Sequence, residues 1–257
     1  MPAMVDRPAT TSSLLTVASG QSFRTSLIPT AVGNATKVFD VDSASTDTSI
    51  SGAYIDEIWF QYSKRDGSNY LDATTALSGT YSQPAGTTIT ITISAGHNIQ
   101  VGQKVYADYT SYSSGTLPED EILTVTKITA TTIVATSAST TASTITGNVS
   151  IYAPIDVCFY LVSTGTVTNT NQFFPLFIAS IPATYQSNYF GLTENNILPL
   201  INHPVPHAGS NFTTATSTTS PKIRGLALQR GQAIYAAVSG TTALTNGFYV
   251  NIQAGYY

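Results

Sequence analysis

Residues Thr87–Ile93 read TTITITI. Successive side chains of a β-strand point to opposite faces, so a strand here sends its isoleucines to one side and its threonines to the other. Threonine is β-branched and stiff at χ1, which suits strands and disfavours helices. The stretch is therefore read as a half-buried strand with threonine facing out. The same alternation recurs in Lys104–Tyr109 (KVYADY), Ile122–Ile128 (ILTVTKI), Thr131–Thr136 (TTIVAT) and Asn148–Tyr152 (NVSIY). Gly, Pro and Ser signals separate these pieces. Together they predict a small β-barrel or sandwich over residues 79–152.

On both sides of this module the texture changes. Ala53–Tyr62 reads AYIDEIWFQY. Strict alternation puts Tyr54, Asp56, Ile58 and Phe60 on one face, and Ile55, Glu57, Trp59 and Gln61 on the other. Neither face is purely apolar. Lys64–Ser68 (KRDGS) then makes a turn, with Asp-Gly as the signal. Further strands are expected at Asp156–Val162, Phe173–Ile181, Ile223–Leu228, Ala233–Val238 and Phe248–Ala254. Residues 183–221 have loop composition, with one strand near Ile197–Ile201. No helix longer than two turns is expected. The chain thus reads as all-β: a flexible N-terminal arm (1–12), a discontinuous β host domain (13–78 and 153–257), and an inserted β domain (79–152). The strands flanking the insertion, 54–62 and 156–162, are expected to be neighbours in one sheet.

Composition narrows the function classes. Only 9% of the 257 residues are charged, against about 25% in an ordinary soluble protein. Hydrophobic residues make up 42%, so this is not the signature of disorder. The net charge is −4, with no run of Lys or Arg, which argues against nucleic acid as a partner. No segment is long and apolar enough to cross a membrane, and the N-terminus lacks the pattern of a secretory signal. The single cysteine, Cys158, excludes an internal disulfide framework and is read as a small core residue.

Candidate chemistry is sparse. Ser94–Asp108 reads SAGHNIQVGQKVYAD and holds His97, Lys104 and Asp108. A His–Asp pair could act as a general base, but no nucleophile accompanies it, and the context is a turn between strands. His203 and His207 bracket Pro-Val-Pro, and those prolines forbid the helix that would bring the two imidazoles together on a metal. Asp40, Asp42 and Asp47 lack the Gly and Glu that an EF-hand loop requires. Glu119-Asp120-Glu121 follows Pro118 and is read as a solvated loop tip. Asp56 and Glu57 fall on opposite faces of one strand and make a poor glycosidase pair. No catalytic constellation, metal site or cofactor site is expected, and an enzyme is not.

Pro221–Val238 (PKIRGLALQRGQAIYAAV) and Gly247–Tyr257 (GFYVNIQAGYY) resemble the C-terminal end of structural proteins of tailed bacteriophages, cyanophages among them. The inserted segment, with Ala95–His97, Val101–Gly102 and Thr146–Val149, is similar to small β modules of such virion proteins. Capsid decoration (cement) proteins are the members it most resembles. The resemblance implies a jelly-roll or β-sandwich host, a place on the phage head, a homotrimer, and the major capsid protein as partner. A tail fibre or baseplate component that binds a host-surface glycan is the alternative. A low-charge β surface can bury area against neighbours with little desolvation of charge. Trp59, Tyr62, Phe173, Phe174 and Phe177 are the expected interface anchors.

Overall fold

The computed structural model describes residues 7–41, 50–62, 74–95, 97–113, 117–163, 166–183, 189–191, 197–199 and 226–257. The strands begin with β1 (Arg7–Leu15), β2 (Thr36–Asp40) and β3 (Gly52–Tyr62). Next come β4 (Leu77–Gln83), β5 (Gly86–Ile93), β6 (Lys104–Tyr109), β7 (Glu121–Ile128), β8 (Thr132–Thr141) and β9 (Ile145–Tyr152). The last are β10 (Ile155–Val162), β11 (Phe174–Ile181), β12 (Tyr189–Gly191), β13 (Ile197–Pro199), β14 (Leu226–Gln229), β15 (Ala233–Val238) and β16 (Phe248–Tyr256). The turn at 64–68, Asp42, Asp47, Gly96, His203, His207 and most of 183–221 lie outside the described residues. Among the described residues, no helix is long and apolar enough to cross a membrane.

Strands β4 to β9 close into a barrel in the order β4-β5-β8-β7-β6-β9. The alternation of TTITITI drives it: Ile89, Ile91 and Ile93 of β5 are buried. Val105 and Ala107 of β6, Leu123 and Val125 of β7, Ile133 and Ala135 of β8, and Val149 and Ile151 of β9 join them in one apolar core. Ile99, from the β5–β6 connection, fills the same interior. Six strands take part rather than the five expected. The extra one is β4, LSGTYSQ, whose Ser and Gly residues hide the alternation, although its Tyr81 is buried in the barrel.

The remaining strands form two sheets. One has the order β1-β16-β3-β12, with β14 also on β3; the other runs β13-β11-β10-β15-β2. β12 pairs with residues 59–61 of β3 and β14 with residues 52–55, so the two share one edge of that strand. Eight of these strands make a recognisable set: β1, β2, β3, β10, β11, β12, β15 and β16. Numbered along the chain, their sheets run one-eight-three-six and two-seven-four-five. That interleaving is the strand order of a jelly roll. The barrel strands fall between β3 and β10, the third and fourth strands of the roll. Of the two readings for the host, jelly roll or simple sandwich, the strand order selects the first.

The chain divides into two compact units. One comprises Met1–Arg65, Asp156–Ser180 and Tyr189–Tyr257; the other comprises Asp66–Ile155 and Ile181–Asn188.

The roll has a layered core. Phe60 of β3 meets Phe248 edge-on, with ring centroids 5.4 Å apart, and Phe159 of β10 stacks on Phe177 at 4.7 Å. Strands β10 and β15 are apolar on both faces, and every residue of β15 is buried. The second face, carrying Cys158, Tyr160, Val162 and Tyr235, packs against Phe23, Leu27, Ile28 and Val32 of the segment that joins β1 to β2. The Tyr160 hydroxyl donates to Leu27 O at 2.6 Å and ties that cover down. Strands covered on both faces read as continuous apolar runs, as DVCFYLV does.

Two expectations need correction. Of the flexible arm expected over 1–12, residues 1–6 lie outside the described residues, and 7–12 belong to β1, in register with β16 from Arg7–Tyr256 to Leu15–Phe248. Their Thr and Ser side chains suit an edge strand and give no apolar signal. The strands flanking the insertion are not neighbours in one sheet. β3 and β10 lie in opposite sheets and face each other across the core.

Candidate functional site

The SAGHNIQVGQKVYAD segment folds as a turn. Gly102 adopts a φ of 87°, which L side chains rarely take. Its N–H donates to Val125 O at 2.8 Å, and Val125 N–H donates back to Gln103 O at 3.0 Å. His97 Nε2 lies 2.9 Å from Thr129 O. A carbonyl oxygen only accepts, so Nε2 carries the proton. Asp108 sits in β6 opposite Ser150 of β9. Burial, and then the neighbouring charge of Asp120, raise its carboxyl above the ordinary value. The ring of His97 is held by a backbone carbonyl, and its buried Nδ1 has no partner among the described residues.

Glu119 and Asp120 of the acidic run are exposed, as a loop tip should be, but Asp120 and Glu121 also bind neighbouring strands. Asp120 Oδ1 accepts the Tyr109 N–H at 2.9 Å, and its Oδ2 accepts the Tyr106 hydroxyl at 3.3 Å. Glu121 Oε1 accepts the Tyr109 hydroxyl at 2.9 Å and the Ser137 hydroxyl at 2.6 Å. Glu121 Oε2 accepts the Ala138 N–H at 2.6 Å. One carboxylate thus joins β6, β7 and β8. Burial, with Glu121 second, pushes the Tyr109 hydroxyl well above its ordinary value. No sequence spacing foretold this, because Tyr109, Glu121 and Ser137 meet only through barrel closure. Among the described residues, no group of three or more His, Cys, Asp and Glu side chains is placed to hold a metal ion. Asp40, a calcium candidate by sequence, pairs with Lys37 at 2.7 Å.

The five aromatic anchors divide. Tyr62, Phe173 and Phe177 are buried within the roll. Phe173 packs on Tyr160 and Tyr235, with centroids 5.3 and 5.4 Å apart, so it serves the core. Those three are corrected from interface to core residues. Trp59 is half-buried, and Phe174 is 51% exposed, which leaves its ring available to a neighbour.

No family model matches the chain, and no curated protein matches it. Among solved structures, it is similar to a chain described as "VP16-VP17 complex, a complex of the two major capsid proteins of bacteriophage P23-77". Identity is 9% and the TM-score 0.27, over 97% of this chain and 98% of the other. At that TM-score the likeness carries no argument, and the jelly-roll assignment rests on the strand order of the chain itself.

Proposed function

We propose that this chain is a structural protein of a virus particle: a capsid decoration (cement) protein of a phage head, which bridges neighbouring capsomers. The observation that carries this reading is the jelly-roll strand order, with a barrel between its third and fourth strands. Jelly rolls build capsid domains, and also lectins and cupins. Fold alone does not choose among these. The resemblance of the C-terminal segments to phage structural proteins favours the capsid, as does a composition with only 9% charged residues.

In this reading the protein works by shape and buried area, and performs no chemical step. Its partners are further copies of itself, as a homotrimer, and the major capsid protein. Phe174 and Trp59 are the aromatic groups left to anchor a neighbour.

Copy number in purified particles of the encoding phage tests the proposal. Quantitative mass spectrometry should find the chain at a fixed ratio to the major capsid protein and in comparable number. A handful of copies per particle would overturn the decoration role and move the chain to the tail.

A further inference from the structure

An open groove of about 420 Å³ crosses the outside of the barrel over β5, β4 and β9. Six polar side chains line it: Thr80, Ser82, Thr90, Thr92, Thr146 and Asn148. Their arrangement is set by register. Thr92, Thr80 and Asn148 are directly opposite one another on three adjacent strands, and Thr90, Ser82 and Thr146 form the next such row. Positions two apart on a strand are about 6.7 Å apart and adjacent strands about 4.8 Å, so the array covers roughly 7 by 10 Å. No charged side chain lines it.

These groups are unspent. Elsewhere on the barrel, threonine hydroxyls are used internally: Thr126 donates to Val134 O at 3.1 Å and Thr141 to Pro84 O at 2.9 Å. The six groove side chains make no side-chain hydrogen bond within the described residues. An exposed tyrosine lies on the chain segment that runs next to β9. Residues 110–113 continue the line of β6 along β9, held where Ser111 Oγ accepts Asn148 N–H at 2.9 Å and Ser113 Oγ accepts Thr146 N–H at 3.1 Å. Tyr112, between them, is 46% exposed. Among the described residues it meets neither ring nor hydrogen-bond partner.

We infer that this groove is a binding site for an uncharged carbohydrate. Hydroxyls and an amide at fixed spacing can donate to and accept from a sugar's hydroxyls, which are matched by direction rather than by charge. A ring such as Tyr112 offers an apolar face with a polar tip to the apolar side of a pyranose. The lack of charge excludes phosphate, sialic acid and other acidic ligands as the preferred class. The inference concerns the barrel alone and holds whether the particle carries this chain on its head or its tail.

The full chain, titrated with maltohexaose, cellohexaose and mannohexaose by NMR or calorimetry, should bind at least one of them. In the binding case, Thr80→Val, Asn148→Ala and Tyr112→Ala should each weaken affinity about fivefold or more, for the loss of one hydrogen bond or stacking contact. Thr124→Val, on β7 away from the groove, should leave it unchanged. Far-ultraviolet circular dichroism and a thermal melt establish that each variant is folded. Binding that survives all three groove substitutions would overturn the site, as would no binding to any of the three sugars. If instead the groove variants lose attachment to the capsid and sugar binding is absent, the groove is a protein contact and the carbohydrate assignment fails.

Discussion

Phe60 of β3 and Phe159 of β10 belong to opposite sheets of the roll, with ring centroids 6.2 Å apart. Phe159 is fully buried and also stacks on Phe177. Phe159→Ala removes a ring shared by both sheets and leaves a cavity, so it should cost about 3–5 kcal/mol. Phe174→Ala, on the exposed side of β11, should change stability by no more than about 0.5 kcal/mol. Urea denaturation of the two variants measures both. If Phe174 is an anchor, its alanine variant should also attach more weakly to particles while folding normally.

Gly147 of β9 allows a close approach that a larger residue would block. A Cβ there would lie 2.0 Å from Ser111 O and 2.9 Å from a ring carbon of Tyr81. Backbone cannot move aside cheaply, so Gly147→Ala should destabilise by about 1–3 kcal/mol. A methyl group at Gly33 would meet nothing within 4 Å, and Gly33→Ala should be close to neutral. A comparison of melting temperatures decides the point, and equal temperatures for the two variants would refute it.

How much of this was legible in the sequence depends on which residues carried the pattern. TTITITI announced its strand because isoleucine and threonine differ so plainly in burial. Strand β3 hid its faces for a local reason. In its pairing with β16 the register shifts so that Gln253 faces Glu57 and Ala254 faces Ile55, leaving Asp56 as an extra residue. Such a bulge reverses the parity of side chains on either side of it. Ala53 and Ile55 point inward before it, and Ile58, Phe60 and Tyr62 after it. The strict alternation read from AYIDEIWFQY therefore mixed the two faces. Strand order was illegible for a different reason: β1 pairs with β16 from the far end of the chain, and no local signal encodes such a partner. Three of the five aromatic anchors, Tyr62, Phe173 and Phe177, proved to be core residues, because ring size predicts burial in a core as readily as in an interface.

Asp108 gives a pH dependence with a definite sign. Burial first, and Asp120 second, raise its carboxyl. A raised acid holds its proton more tightly when folded than when unfolded. Its contribution therefore favours the fold at low pH and is lost as pH rises through the folded value. At neutral pH the ionised side chain is a cost. Asp108→Asn should raise the melting temperature at about pH 7 and change it little at about pH 3, where both forms are neutral. A gain equal at both pH values would show that charge is not the cause.

Glu121 makes the strongest claim on barrel stability. Its two oxygens accept from Tyr109, Ser137 and Ala138, on β6 and β8, while its own backbone begins β7. Tyr109 and Ser137 are buried, so their hydroxyls have few other partners. Glu121→Ala should strand these donors and cost about 1–3 kcal/mol. Tyr109→Phe removes the phenol that needs the carboxylate, at a cost of about 1 kcal/mol. The double variant should then cost less than the sum of the two, because the same bond is counted in both. Strict additivity in a denaturation cycle would mean that the Tyr109–Glu121 bond contributes nothing, and that the carboxylate acts through Ser137 and Ala138 alone.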